Sequence, residues 1–189
     1  MKETLHRSLS YPSPRLVDAV VELRRWELKD LSCIEEASAD RSITEATTVP
    51  ADYSVAAGKA FIERQWSRQT NGEGLSLAIT SADEGRAAGL VILSYRPEPG
   101  VVRLGYWVIR GARERGYASR AVSMLTGWAL STGAVHRIEA LVEVGNTASV
   151  QVLMSAGFVA DHTAPGALDF PTRRADAISY VLEVSRPGS

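Results

Sequence analysis

Cysteine is almost missing from this chain: Cys33 is the only one in 189 residues. No internal disulfide can form, and no cysteine cluster can hold a metal. Cys33 is expected to pack as a small hydrophobe. A surplus of either charge is missing too. Lysine and arginine number 21 against 22 acidic residues, with three histidines, so duplex nucleic acid finds no electrostatic footprint here. No apolar run has the length of a bilayer crossing, which argues against a membrane partner. Residues 1–14 hold Lys2 and Arg7 but no continuous apolar stretch, so they do not read as a secretory signal and cytoplasm is the expected location. No Gly-x-Ser-x-Gly turn accompanies His136 or His162, and no histidine pair has ligand spacing. Hydrolase chemistry and a metal site are therefore not expected.

What remains is the make-up of one globular domain. With 45% hydrophobic residues, 189 residues suffice for one core and are short for two. Residues 1–14, including Tyr11-Pro12-Ser13-Pro14, have no periodicity and read as a flexible extension to a single domain over 15–189. Val20 to Trp26 reads as a strand, and Asp30 as the cap of a helix through Leu31 and Ile34. Ala39 to Tyr53 lacks a period, contains Pro50 and reads as a loop. Ser54 to Gln69 carries apolar residues at helical spacing. Leu75–Thr80 and Ala87–Tyr95 read as a hairpin. Later, His136–Val144, Gly157–Asp161 and Ala177–Val184 read as strands, Ala148–Ser155 as a short helix and Thr163–Asp176 as a loop.

The stretch Leu104 to Arg120 changes period in the middle. Val101, Val102, Leu104, Tyr106, Trp107, Val108 and Ile109 suit a buried strand, whereas Ala118, Ala121, Val122, Leu125, Trp128 and Ala129 form the stripe of a helix on a sheet. Between them lies Arg113-Glu114-Arg115-Gly116-Tyr117-Ala118. The first amides of a helix have no internal partner and sit at the positive end of its dipole, and Gly116 lets an anion approach the backbone. The same residues also fit a plain glycine at a helix start, flanked by solvated arginines.

The pattern Arg/Gln-x-x-Gly-x-Gly/Ala, followed about thirty residues later by Asn146-x-x-Ser149 and Gly157-Phe158, resembles the GNAT family of acetyl-coenzyme A dependent N-acyltransferases, in particular its RimJ/RimL branch. Val21-Glu22-Leu23-Arg24-Arg25-Trp26 matches that branch's Leu-x-Leu-Arg-x-Trp opening. The resemblance implies an α/β domain with a mixed, mainly antiparallel sheet of about seven strands flanked by helices. It implies acetyl-CoA as cosubstrate, its pyrophosphate on the backbone of Arg113, Glu114, Arg115, Gly116, Tyr117, Ala118 and Ser119, with Arg113, Arg115 and Arg120 adding charge. The family's approach, here Gly105-Tyr106-Trp107-Val108, implies a strand that splays from its neighbour, a β-bulge permitting this. The amide of Val108 or Ile109 then faces the thioester oxygen.

On the same resemblance, Asn146 and Ser149 face the cofactor and Ser149 is the general acid, because the tyrosine of many relatives is Leu153 here. The general base is less defined. Several relatives carry a glutamate at the position of Arg103, and arginine cannot serve. Glu139, Glu143, Asp169 or a chain of waters remain, with Glu139 the candidate. The implied substrate is a primary amine, by preference a protein N-terminus. A small-molecule amine and a catalytically silent acyl-CoA-binding module stay open, as does a longer acyl donor. A homodimer is common in the family. The acceptor pocket is expected from the Ala39–Tyr53 loop, the motif strand and the Thr163–Asp176 loop.

Overall fold

The computed structural model describes residues 9–170 and 173–184. In chain order the elements are β1 (Leu16–Val17), β2 (Val21–Arg24), α1 (Leu31–Ser38), α2 (Arg41–Thr44), α3 (Val55–Thr70), β3 (Gly74–Ser81), β4 (Ala87–Tyr95), β5 (Val101–Val108), α4 (Tyr117–Ser131), β6 (Arg137–Glu143), α5 (Thr147–Ser155), β7 (Val159–Phe170) and β8 (Arg173–Glu183). They build one eight-stranded sheet in the order β1-β2-β3-β4-β5-β6-β8-β7. Every neighbouring pair is antiparallel except β5 and β6, the pair that α4 connects.

Alternation along the strands assigns the two faces. Leu75, Leu77, Ile79, Val91, Leu93, Val102 and Leu104 fall on one face and are all buried, and α4 covers it with Ala121, Val122, Leu125 and Ala129. Trp107 falls on the other, where its ring lies 6.4 Å from Phe61 of α3 and 6.2 Å from Trp26. This aromatic cluster fastens α3 over β3–β5. Burial alternates along β6: Arg137, Glu139, Leu141 and Glu143 on that second face are half-buried, while Ile138, Ala140 and Val142 on the α4 face are buried. Cys33 packs in the core at 2% exposure, and burial pushes its thiol pKa up, so it stays an unreactive thiol.

Three expectations change. The extension over residues 1–14 lies outside the described residues as far as Ser8, but Leu9 is buried, its N–H donating to the Tyr95 hydroxyl at 2.5 Å and its carbonyl accepting from Gln69 at 3.3 Å. The Ala39–Tyr53 loop holds one helical turn, α2, pinned by the buried Ile43 and by Asp40, whose carboxylate accepts from the Ser42 amide at 3.0 Å. Within the Thr163–Asp176 segment, residues 163–170 and 173–176 are no loop: they belong to the paired strands β7 and β8. Pro165 and Gly166 interrupt the register there between Ala164 and Leu168, which an edge strand tolerates and a central one does not.

Candidate active site

The helix α4 starts without a side-chain cap. Its N-cap is Gly116, held at φ 77°, and Glu114 two residues earlier also has a left-handed φ of 60°. The amides of Tyr117, Ala118 and Ser119 open the helix and lack intrahelical acceptors, the first bond running from Arg120 N–H to the Gly116 carbonyl at 3.1 Å. A Cβ on Gly116 would meet only Arg120 Nε at 3.6 Å, so glycine supplies the backbone angle rather than room. The residues therefore fit a phosphate group: an uncapped positive helix end with the cationic Arg115, whose guanidinium lies 5.6 Å from the Tyr117 ring centre. The other two arginines are engaged. Arg113 donates to the Asp40 carboxylate at 2.6 Å and to the Val108 carbonyl at 3.1 Å, and Arg120 to Asp18 at 2.7 Å. Arg113 thus props the loop from beneath instead of pointing a free charge into it.

Beside this helix end the sheet opens. β5 and β6 are in register only from Val101/Arg137 to Arg103/Glu139, and beyond that the two strands part. The β4–β5 ladder runs through Gly89/Val108 to Tyr95/Val102 without a register shift, so the opening comes from divergence of β5 and β6 and not from the expected bulge. The bonds Arg96 N–H to Val101 O and Ile109 N–H to Ala88 O show that odd-numbered residues of β5 turn their backbone groups to β4. The backbone groups of Tyr106 and the N–H of Val108 therefore point into the gap, the Val108 carbonyl being taken by Arg113. Ile109's amide is spent on Ala88, which leaves Val108, and with it Tyr106, facing the cleft.

The far wall is α5. Asn146 caps it by accepting from Ser149 N–H at 3.1 Å, and Ser149 is half-buried in the first turn. The Tyr106 hydroxyl reaches across to donate to the Ser149 carbonyl at 3.3 Å. Burial pushes the Tyr106 phenol upward, against the opposing effect of that hydrogen bond, so the ring stays protonated at neutral pH. The sequence reading placed Tyr106 only in the splaying strand and did not single out its ring or Asp40. The pattern Asp40-x-Ser42 is a readable cap signal; nothing local marks the Tyr106 ring as a bridge.

Of the candidate carboxylates, Glu143 is clasped by Arg173 at 2.6 and 2.9 Å, which holds it below the usual carboxylate range. Asp169 is 72% exposed beside Arg174. Glu139 stands at the closed end of the gap, directly across from Arg103, and meets Arg137 at 3.2 Å and Arg96 at 3.9 Å. His136 packs against the Gly100 turn and His162 is exposed beside Asp161, so neither histidine reaches Ser149 through a hydrogen bond. Among the described residues no group of three or more His, Cys, Asp or Glu side chains could hold a metal, and no helix is long and apolar enough to cross a membrane.

An uncapped helix end beside a parted parallel pair is an arrangement for a phosphate-bearing, extended cosubstrate. Residues 21–159 match the acetyltransferase (GNAT) domain family, and the chain belongs to that family of acetyl-CoA dependent N-acetyltransferases. Its sequence is similar to YjdG, an uncharacterized N-acetyltransferase of Bacillus subtilis (strain 168), with 35% identity over 65 residues, which is 34% of this chain and 39% of that protein. Its fold is similar to Mycobacterium smegmatis RimJ in complex with CoA-disulfide, at TM-score 0.76 and 21% identity over 86% of this chain and 81% of that one. It is similar also to the ribosomal-protein-S5-alanine acetyltransferase from Vibrio fischeri, at TM-score 0.74 and 18% identity over 89% and 96% of the two chains. At such identities the likeness is one of fold.

Proposed function

We propose that this chain moves an acetyl group from acetyl-CoA to the α-amino group of a protein N-terminus. Acetyl-CoA supplies the activated thioester. The amides of Tyr117, Ala118 and Ser119, with Arg115, bind its pyrophosphate on the concave backbone formed by Arg113, Glu114 and Gly116. Tyr106 and Val108 pair with the pantetheine arm, and an N–H of this strand polarises the thioester carbonyl. Ser149, in the capped first turn set by Asn146, gives a proton to the departing sulfur. Glu139 takes the amine's proton through water from the opposite face.

The observation that carries the choice of acceptor is the partly exposed, mostly charged second face of β6. Arg137, Glu139, Leu141 and Glu143 form a mostly charged surface there that stays partly exposed beside the gap, which suits the end of a polypeptide better than an enclosed small amine. Likeness in fold to RimJ and to the S5-alanine acetyltransferase supports the same reading.

The test is to incubate the protein with acetyl-CoA and a panel of peptides with free N-termini alongside polyamines and aminoglycosides, scoring the gain of an acetyl group by mass spectrometry. Acetylation of peptide α-amines well above the small amines is expected. Turnover of small amines alone would replace the acceptor assignment, and tight CoA binding without any turnover would make the chain a binding module.

A further inference from the structure

Arginines crowd the closed end of the gap on the acceptor face. Register places Arg103 and Glu139 opposite each other and Arg137 two residues earlier on the same face of β6; Arg96 follows the end of β4 on that face too. The acids nearby are unevenly shared. Arg137 takes three of them, Glu139 at 3.2 Å, Asp161 at 2.9 Å and Glu183. Arg96 reaches Glu139 only at 3.9 Å. Among the described residues Arg103 has no ion pair and no side-chain hydrogen bond, and its Nε is buried; the buried Nε of Arg96 likewise makes no hydrogen bond, with only the long Glu139 contact. Burial and the neighbouring Arg96 both lower the Arg103 pKa, with Glu139 opposing them. Arginine nonetheless keeps its charge at neutral pH. A half-buried guanidinium is costly unless something anionic meets it.

We infer that Arg103, with Arg96, binds a carboxylate carried by the acceptor, so that the amine substrates of this site are acidic ones. The inference rests on the acetyl-transfer reading for the identity of the site. It adds which amines that site prefers. A guanidinium fork takes a carboxylate through paired N–H donors, and the acceptor's anion would fill the donors that Glu139 and the other acids leave over. The carboxylate has two possible sources: the α-carboxylate of a free amino acid, or an acidic side chain close behind a peptide N-terminus. In the reading above it is the second, an Asp or Glu among the first residues of the acceptor protein.

Matched acceptors decide this. The rates compared are those on peptides with Asp or Glu against Asn or Gln at the second and third positions, and on free amino acids against their amides, for wild type, Arg103→Gln and Arg103→Lys. Acidic peptides are expected to exceed their amide counterparts in kcat/KM by roughly ten- to a hundredfold, the range of a charge-assisted hydrogen-bonded pair. Arg103→Gln is expected to bring the ratio close to one and Arg103→Lys to restore part of it. A preference confined to free amino acids would move the anion's source but keep Arg103's role. Equal use of acid and amide, or a preference untouched in Arg103→Gln, would overturn it. Titration of the CoA-loaded protein with the N-acetylated acidic and amide peptides reads the same ratio without turnover. If no peptide is acetylated, the transfer reading fails, and the binding ratio alone still upholds or overturns the role of Arg103.

Discussion

Two helix ends face the gap, and they begin differently. At α5 the Asn146 side chain satisfies the Ser149 amide, as Ser54 does for Ala57 at α3 and Asp40 for Ser42 at α2. At α4 a left-handed glycine stands in the capping position and no side chain closes the end. α1 also lacks a side-chain cap bond, but there the Asp30 carboxylate is spent on Arg24 and the Glu27 amide, whereas at α4 no side chain stands at the N-cap at all. α5 is a closed end, whereas α4 leaves its first amides free for the phosphate that the proposed function places there.

Installing a cap at α4 is the sharpest way to break that contrast. Gly116→Asp would place a carboxylate where aspartate normally caps a helix, against the φ of 77° and in the way of the pyrophosphate. Isothermal titration should show CoA affinity reduced by roughly a hundredfold or more, because charge-assisted hydrogen bonds to the phosphate are broken and a like charge faces it. Unchanged affinity would move the phosphate site elsewhere.

A smaller effect concerns the cap that supports the uncapped end. Asp40 holds the Ser42 amide with one oxygen and Arg113 with the other. Burial pushes the Asp40 carboxyl up, but the Ser42 and Arg113 hydrogen bonds and the Arg113 charge outweigh it and hold the pKa below the usual value. Its contribution to stability is therefore full above the ordinary aspartate value of about 4 and is lost as the pH falls through the lower folded value. Melting curves should show Asp40→Asn losing less stability than wild type below about pH 4. Parallel curves would remove the link. The smallest effect is uncapping α5: Asn146→Ala should cost about 1 kcal/mol in a denaturant melt while CoA affinity changes little. A large loss of affinity would mean that Asn146 touches the cofactor directly.

The sequence is most informative where the physics is local. The change of period across Leu104 to Arg120 foretells β5, the glycine turn and α4, because each depends on residues within a few turns of one another. Asn146 as a cap is legible for the same reason. The gap is not, since it depends on where β6 stops pairing with a strand more than thirty residues away. Arg113 and Asp40 meet across 73 residues, so the arginine reads as a free phosphate ligand until the fold shows it engaged. Pro165 and Gly166 are loop signals in isolation; only the edge position of β7 makes them a bulge. Eight strands in place of about seven follow mainly from the two-residue β1, too short to carry a pattern.

Three registered rungs between β5 and β6 are all the ladder that joins the two halves of the sheet. Mechanically the domain is two plates sharing a short seam, bridged by the packing of α4 on α5, by the Arg96–Glu139 pair and by the hydroxyl contact from Tyr106 to α5. Under the proposed function, an extended molecule hydrogen-bonded along Tyr106 and Val108 would take the place of a strand there. Binding would then do for the domain what a zipper does for two panels, and rigidity would arrive together with the substrate.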